Sequence, residues 1–291
     1  MRPIAEFIMR GRVQATLLAG VAAALPMLFW LSAATAGLVL LRKGAAQSGN
    51  VMIAALVPAF IWMLMGDPLA FLVIGCTLVL AAFLRQGMVW RSVLMLSVGL
   101  AGLCMLVFGT VFADTVSMLA AEVLRLMPMV FDTGTEPLDE QGMLAVQALV
   151  VPVLVGLLAA SVQLLSLLSL IIARYWQALL YNPGGFKQEF HSIRLPKWQS
   201  AVLVMVMLLS PAASIELAGI GLLCAVALVM AGISCVHGLA AKRAIAGFYL
   251  TCFYLLLVPF NQFLFPLLCF LALIDSMFDL RGLSRAGKDN A

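Results

Sequence analysis

Apolar runs recur from Val13 to Leu280 with few charges between them, and this pattern constrains the fold more than any motif in the chain. A soluble domain carries roughly a quarter charged residues, whereas this chain is 10% charged and 64% hydrophobic. It has too little polar surface to cover a water-facing fold. The implied solvent is a bilayer, whose hydrocarbon core takes roughly 20 apolar residues to cross. Backbone groups in lipid must be satisfied within the span, which favours helices for runs of this length. The expected fold is therefore all-α, a polytopic transmembrane bundle forming a single integral membrane domain over residues 1–291.

Charge breaks delimit apolar segments at 13–41, 51–66, 68–84, 92–113, 143–173, 198–213, 217–238 and 245–280. The first and last are too long for one upright span, and each is either a tight hairpin or a strongly tilted helix. The tendency of Lys and Arg to stay on the cytoplasmic side favours hairpins. With turns near Pro26 and near Pro259-Phe260-Asn261-Gln262, every basic residue except Arg125 falls on one side. This predicts cytoplasmic termini and about eight to ten membrane segments. Trp90, Tyr175, Trp176, Tyr181 and Trp198 lie beside basic residues, where amphipathic rings favour the headgroup layer. The amino-terminal MRPIAEFIMRGR puts basic residues before an apolar run, but 13–41 is too long for a signal core and is expected to be retained.

Two loops stand out. On the extracytoplasmic side, 114–142 begins as an amphipathic helix, with Val116, Leu119, Ala120, Val123, Leu126, Met127 and Val130 opposite Ser117, Glu122 and Arg125. It ends in an acidic loop, and the helix either lies on the membrane surface or caps a cavity. On the cytoplasmic side, 174–197 holds Tyr181 and a turn at Asn182-Pro183-Gly184-Gly185. Phe186, Phe190 and Ile193 then share one helical face, and Lys187, His191 and Arg194 another, before Pro196. This predicts a short interfacial helix that serves as an anchored connector or as a docking surface.

Chemistry-bearing motifs are sparse. Asp132-Thr133-Gly134 matches an aspartic-protease loop, but that reaction needs two carboxylates sharing a proton, and no second copy exists. The six cysteines all lie in apolar runs without close pairs, so they read as small buried hydrophobes. No phosphate-binding glycine loop, zinc-protease helix or nucleophile elbow is present. With His191 and His237 the only histidines, no enzyme, metal or cofactor is expected, and no nucleic-acid partner.

Ionisable or amide groups within apolar segments are costly and mark candidate sites. Asp275 and Asp279 lie one turn apart before Arg281 and are expected at the cytoplasmic end of the last helix, paired with basic residues. Asn261 and Gln262 fall at the last outer bend, as Glu216 does at another. Gln163 lies mid-segment with Ser161, Ser166 and Ser169, either as interhelical glue or lining a polar cavity. On the first helix, Ala15, Ala19 and Ala23 recur every four residues beside Thr16, Gly20 and Ala24. Such small faces permit close helix approach, inside the chain or to a partner.

The order ARYWQALLYNPGGFKQEFHSIRLPKW, then AAKR, then FYLTCFYLLLVPFNQFLFPLLCFLALIDSMFDLRGLSR resembles the YybS-like family of bacterial inner-membrane proteins. Arg194-Leu195-Pro196 and the closing Asp275, Phe278, Asp279, Leu280 and Arg281 carry the likeness most specifically. That family is in turn similar to the substrate-binding S components of energy-coupling-factor transporters. In those, an Ala-x-x-x-Ala face on the first helix docks on a coupling subunit, and Ala15, Ala19 and Ala23 match this pattern. S components have fewer helices than the runs here imply. The resemblance implies a multi-pass bacterial inner-membrane protein that binds or transports a small molecule in a cavity capped by 114–142, with an energising membrane partner. The alternative is an adaptor that recruits a partner through its cytoplasmic loop or first helix.

Overall fold

The computed structural model describes residues 1–131, 140–214, 217–242 and 246–283. These form thirteen helices and no strand. The acidic loop with Asp132-Thr133-Gly134, and also Glu216, Arg243, Arg285 and Lys288, lie outside the described residues.

The chain opens with α1 (Arg2–Arg10), which buries Ala5 and Ile8. The 13–41 run is a hairpin: α2 (Arg12–Ala24) and α3 (Phe29–Lys43) are joined by a turn at 25–28 around Pro26. Across it, Ser32 Oγ donates to the Ala19 carbonyl at 2.8 Å. Gly44, at φ 83, supplies the left-handed backbone that turns the chain into α4 (Ala45–Leu64). There follow α5 (Leu69–Arg85), α6 (Trp90–Thr110), α7 (Ala113–Phe131) and α8 (Glu140–Tyr181). Gly184, at φ 88, breaks α8 from α9 (Gly185–His191), as the Asn-Pro-Gly-Gly turn predicts. Last come α10 (Lys197–Ala213), α11 (Ala218–Ala240), α12 (Ala246–Leu257) and α13 (Asn261–Phe278). The 245–280 run is thus also broken, at 258–260.

Five helices are long and apolar enough to cross a membrane: α4, α6, the Val146–Tyr181 part of α8, α11 and α13. At 1.5 Å per residue the 42 residues of α8 extend about 63 Å, twice a hydrocarbon core of ~30 Å. This helix is the axis of the bundle, packing against α3, α5, α6 and α11. Three of its polar residues bond those neighbours, whereas Ser161 Oγ donates to the Leu157 carbonyl of its own helix at 2.8 Å. Gln163 Nε2 donates to Ser97 Oγ of α6 at 3.1 Å, Ser166 Oγ to the Val73 carbonyl of α5 at 3.3 Å, and Ser169 Oγ to the Trp30 carbonyl of α3 at 3.2 Å. Of the two readings of these side chains, helix-to-helix bonding is the one their partners favour. A close approach comes at α8 and α11, where a β-carbon on Gly219 would stand 2.7 Å from Gly156 Cα.

The helix ends gather by charge. Arg85 Nη1 and Gln177 Nε2 both donate to the Leu41 carbonyl, so α3, α5 and α8 end together. The starts of α6 and α10 and the close of α13 meet them there. We call this the basic end, since it also carries Arg42, Arg91, Arg174, Lys187, Arg194 and Arg281.

One expectation is overturned, and two that the sequence left open are narrowed. First, Trp90 and Trp176 are 7% and 1% exposed, so they belong to the protein core rather than to a headgroup layer; only Tyr175, Tyr181 and Trp198 remain outward. Second, the Ala15, Ala19 and Ala23 face is buried by the chain's own α3 and α4, and Gly20 sits against Ala54. Those three alanines are therefore not open to a partner helix. Third, the amphipathic face of α7 is only partly covered: Val116 and Ala120 are buried, whereas Leu119, Val123 and Leu126 are exposed.

Candidate functional site

The connector that follows α8 is held at the basic end by two arginines. Arg281 reaches into the interior, where Nη1 donates to the His191 carbonyl and Nη2 to the Ile193 carbonyl, each at 2.7 Å. Its charge is met by Asp275, whose Oδ2 lies 2.6 Å from Nη2. Ser234 Oγ of α11 donates to the Phe190 carbonyl at 2.6 Å and accepts from Arg281 Nη1 at 3.1 Å. Arg194 reaches from the connector to α13, donating to the Asp275 and Ser276 carbonyls at 3.0 Å and standing 3.4 Å from Asp279. A cation is favoured at a helix C-terminus, where carbonyls lack intrahelical donors. Asp279 itself is the α13 C-cap at φ 50, and it accepts the Leu283 N–H at 2.9 Å. Asp275 and Asp279 thus form ion pairs that fasten the connector to α11 and α13.

Aromatic packing fixes the other side. Phe186 lies between the rings of Trp90 and Tyr175, at 6.3 and 6.1 Å, and buried Phe190 packs on His237 at 5.3 Å. The aromatic face therefore enters the bundle. Tyr181 is exposed with Arg42 4.0 Å above its ring, and Asn182, Pro183 and Lys187 are exposed as well. His191 is half-buried; its burial, then Lys187 and Arg281, pushes its pKa below the ordinary 6.5.

Enclosed by this framework is a cleft of about 1040 Å³, at the upper end of the usual range for ligand pockets, roughly 300–1,000 Å³. Arg85, Arg91, Arg174, Arg194 and Lys197 line it, and among the described residues Glu189 is the one acid that does. Glu189 is occupied by Arg174, through both carboxylate oxygens. Arg91 and Lys197 are exposed and have no ion-pair partner among the described residues. Two helix starts, Trp90 of α6 and Lys197 of α10, also border the cleft, and neither has a side-chain cap. Uncapped N-termini present free N–H groups and positive dipole ends, which suit an anion.

The expected cavity under 114–142 is thus not where the large cleft lies; the cleft is at the opposite end, beside 174–197. Of the sequence candidates, Arg194 and Pro196 line it. Asp275 and Asp279 brace its wall through Arg194. Gln163 is buried mid-bundle; Asn261 and Gln262 are exposed at the far turn, where Asn261 Nδ2 donates to the Val258 carbonyl at 2.9 Å. Sequence reasoning missed Arg85, Arg91, Arg174, Glu189 and Ser276, reading the basic ones as topology markers only. Their signal was present: each basic residue abuts the end of a different apolar run, but convergence needs the packing.

The fold and cleft define an α-helical protein with several helices suited to a membrane. No protein-family model, curated protein or solved structure matches it.

Proposed function

We propose that this chain is a multi-pass membrane protein that binds a small molecule with an anionic group in the cleft at its basic end. The carrying observation is five cationic side chains around one cleft, of which Arg85, Arg91 and Lys197 have no ion-pair partner among the described residues, with two uncapped helix starts beside them. Adding α2, α3, α5, α10 and α12 to the five long helices gives ten passes, an even number. On that count the first and last helices share a side, and the positive-inside tendency assigns the basic end to the cytoplasm. The resemblance to YybS-like proteins and S components supports a transport-type role with an energising partner in a bacterial inner membrane. Docking would then use a surface other than the buried Ala15, Ala19 and Ala23 face. An adaptor reading is weakened because Phe190 and Arg194, two of its expected contacts, are engaged inside the chain.

The test is a thermal-unfolding screen of the detergent-purified chain with anionic and neutral small molecules, lipids included. A ligand that binds only the folded state raises the midpoint as its concentration exceeds Kd. Stabilisation by an anionic compound, lost in Arg91→Glu/Lys197→Glu, is expected. Stabilisation only by neutral compounds, or stabilisation unchanged in that variant, overturns the reading.

A further inference from the structure

Resting on that reading, we infer that the bound anion is the headgroup of a phosphate-bearing lipid, whose tail lies in an apolar groove between α10 and α13. The groove, about 380 Å³, is lined by Ala201, Val204, Met205, Leu208, Leu209 and Leu273 and has almost no polar surface. It follows the cleft along both helices. Lys197 and Ser276 line the cleft. Ala201 is four residues beyond Lys197 on α10, and Leu273 three before Ser276 on α13, spacings that put each pair on one helix face. From Lys197 to Leu209 the α10 axis rises about 18 Å, close to one leaflet of a ~30 Å hydrocarbon core. A charged site and an apolar groove therefore adjoin and together span about one leaflet, which suits an amphiphile better than a fully soluble anion.

Head recognition has two independent features. Arg91 and Lys197 carry charge without an ion-pair partner among the described residues, and Lys197 also starts α10 without a cap. Ser276, one of the residues lining the cleft, is 1% exposed, and its Oγ has no hydrogen-bond partner among the described residues. A buried hydroxyl without a partner is costly, and a phosphate oxygen entering between Lys197 and Ser276 supplies an acceptor.

Native mass spectrometry of the full chain in neutral detergent tests this, with phosphatidylglycerol, phosphatidylcholine, glycerol 3-phosphate and inorganic phosphate as probes. Two unpaired cations predict a roughly thirty-fold preference for phosphatidylglycerol over phosphatidylcholine. Neither soluble phosphate should displace the lipid at equal concentration. Filling the groove with Ala201→Phe/Val204→Phe, which leaves the basic cleft intact, should weaken lipid retention. If glycerol 3-phosphate binds as well as the lipid and groove filling has no effect, the inference fails while the anion-site reading stands. If Arg91→Glu/Lys197→Glu retains the lipid as the parent does, the lipid sits elsewhere and the inference fails. If no anion of either kind is retained, both readings fall. The lipid arms on the unmodified chain decide the matter even where a variant does not fold.

Discussion

Arg281 holds its guanidinium 2.6 Å from the Asp275 carboxylate, with the two side chains 2% and 3% exposed. The same guanidinium bonds the carbonyls of His191 and Ile193 and so ties α13 to the connector. Removing one partner of such a pair leaves an uncompensated buried charge, which costs about 3–5 kcal/mol. Asp275→Asn and Arg281→Met should each lower the unfolding midpoint in detergent by an amount of that order. The double variant Asp275→Leu/Arg281→Met should recover only part of the loss, because the two connector carbonyls stay without their donor. A loss below about 1 kcal/mol in both single variants would mean that the pair contributes little.

Gly156 and Gly219 let α8 and α11 meet backbone to backbone. Either helix would have to move to admit a methyl group, since each β-carbon would meet the other's main chain rather than a flexible side-chain tip. Gly156→Ala should therefore destabilise by about 1–3 kcal/mol, as overpacking does elsewhere. Gly99→Ala is the control, because a β-carbon there meets nothing within 4 Å. Equal midpoints for the two variants would refute the close crossing.

His191 carries a pH dependence whose sign is fixed. Its pKa in the folded chain is lowered by burial, by Lys187 and by Arg281, so protonation favours the unfolded chain. Its contribution to stability is present above the ordinary value of 6.5 and is lost as pH falls below it. The imidazole also faces the ring of His237, at 6.1 Å. Thermal unfolding of the parent and His191→Gln at pH 7.5 and about pH 5.5 separates the two histidines. The parent should lose more stability on acidification than the variant, and parallel losses would count against a shifted His191.

Much of the architecture was legible because lipid imposes a simple rule on sequence. The expected segments 68–84, 198–213 and 217–238 agree within two residues at each end with α5, α10 and α11. Pro26 and Pro259 gave away the breaks in the two long runs, since a proline without an N–H disturbs a helix that is already too long for one span. The turn before α9 was legible from Asn182-Pro183-Gly184-Gly185, because glycine accepts the positive φ that other residues resist.

The pattern of apolar runs, and of the prolines, glycines and charges that interrupt them, thus determined that the chain is helical and where most of its helices and turns fall, though α8 runs on to Tyr181 into the expected 174–197 loop. What it left open was which surface meets lipid and which meets another helix, because both surfaces are apolar and leave the same mark on the sequence. Tertiary packing alone decided that Ala15, Ala19 and Ala23 face the chain's own helices and that Trp90 and Trp176 are interior. It also decided the cleft. Arg85, Arg91, Arg174, Arg194 and Lys197 belong to five different helices or loops, and only the packing of α5, α6, α8 and α10 into one bundle brings their charges around one volume.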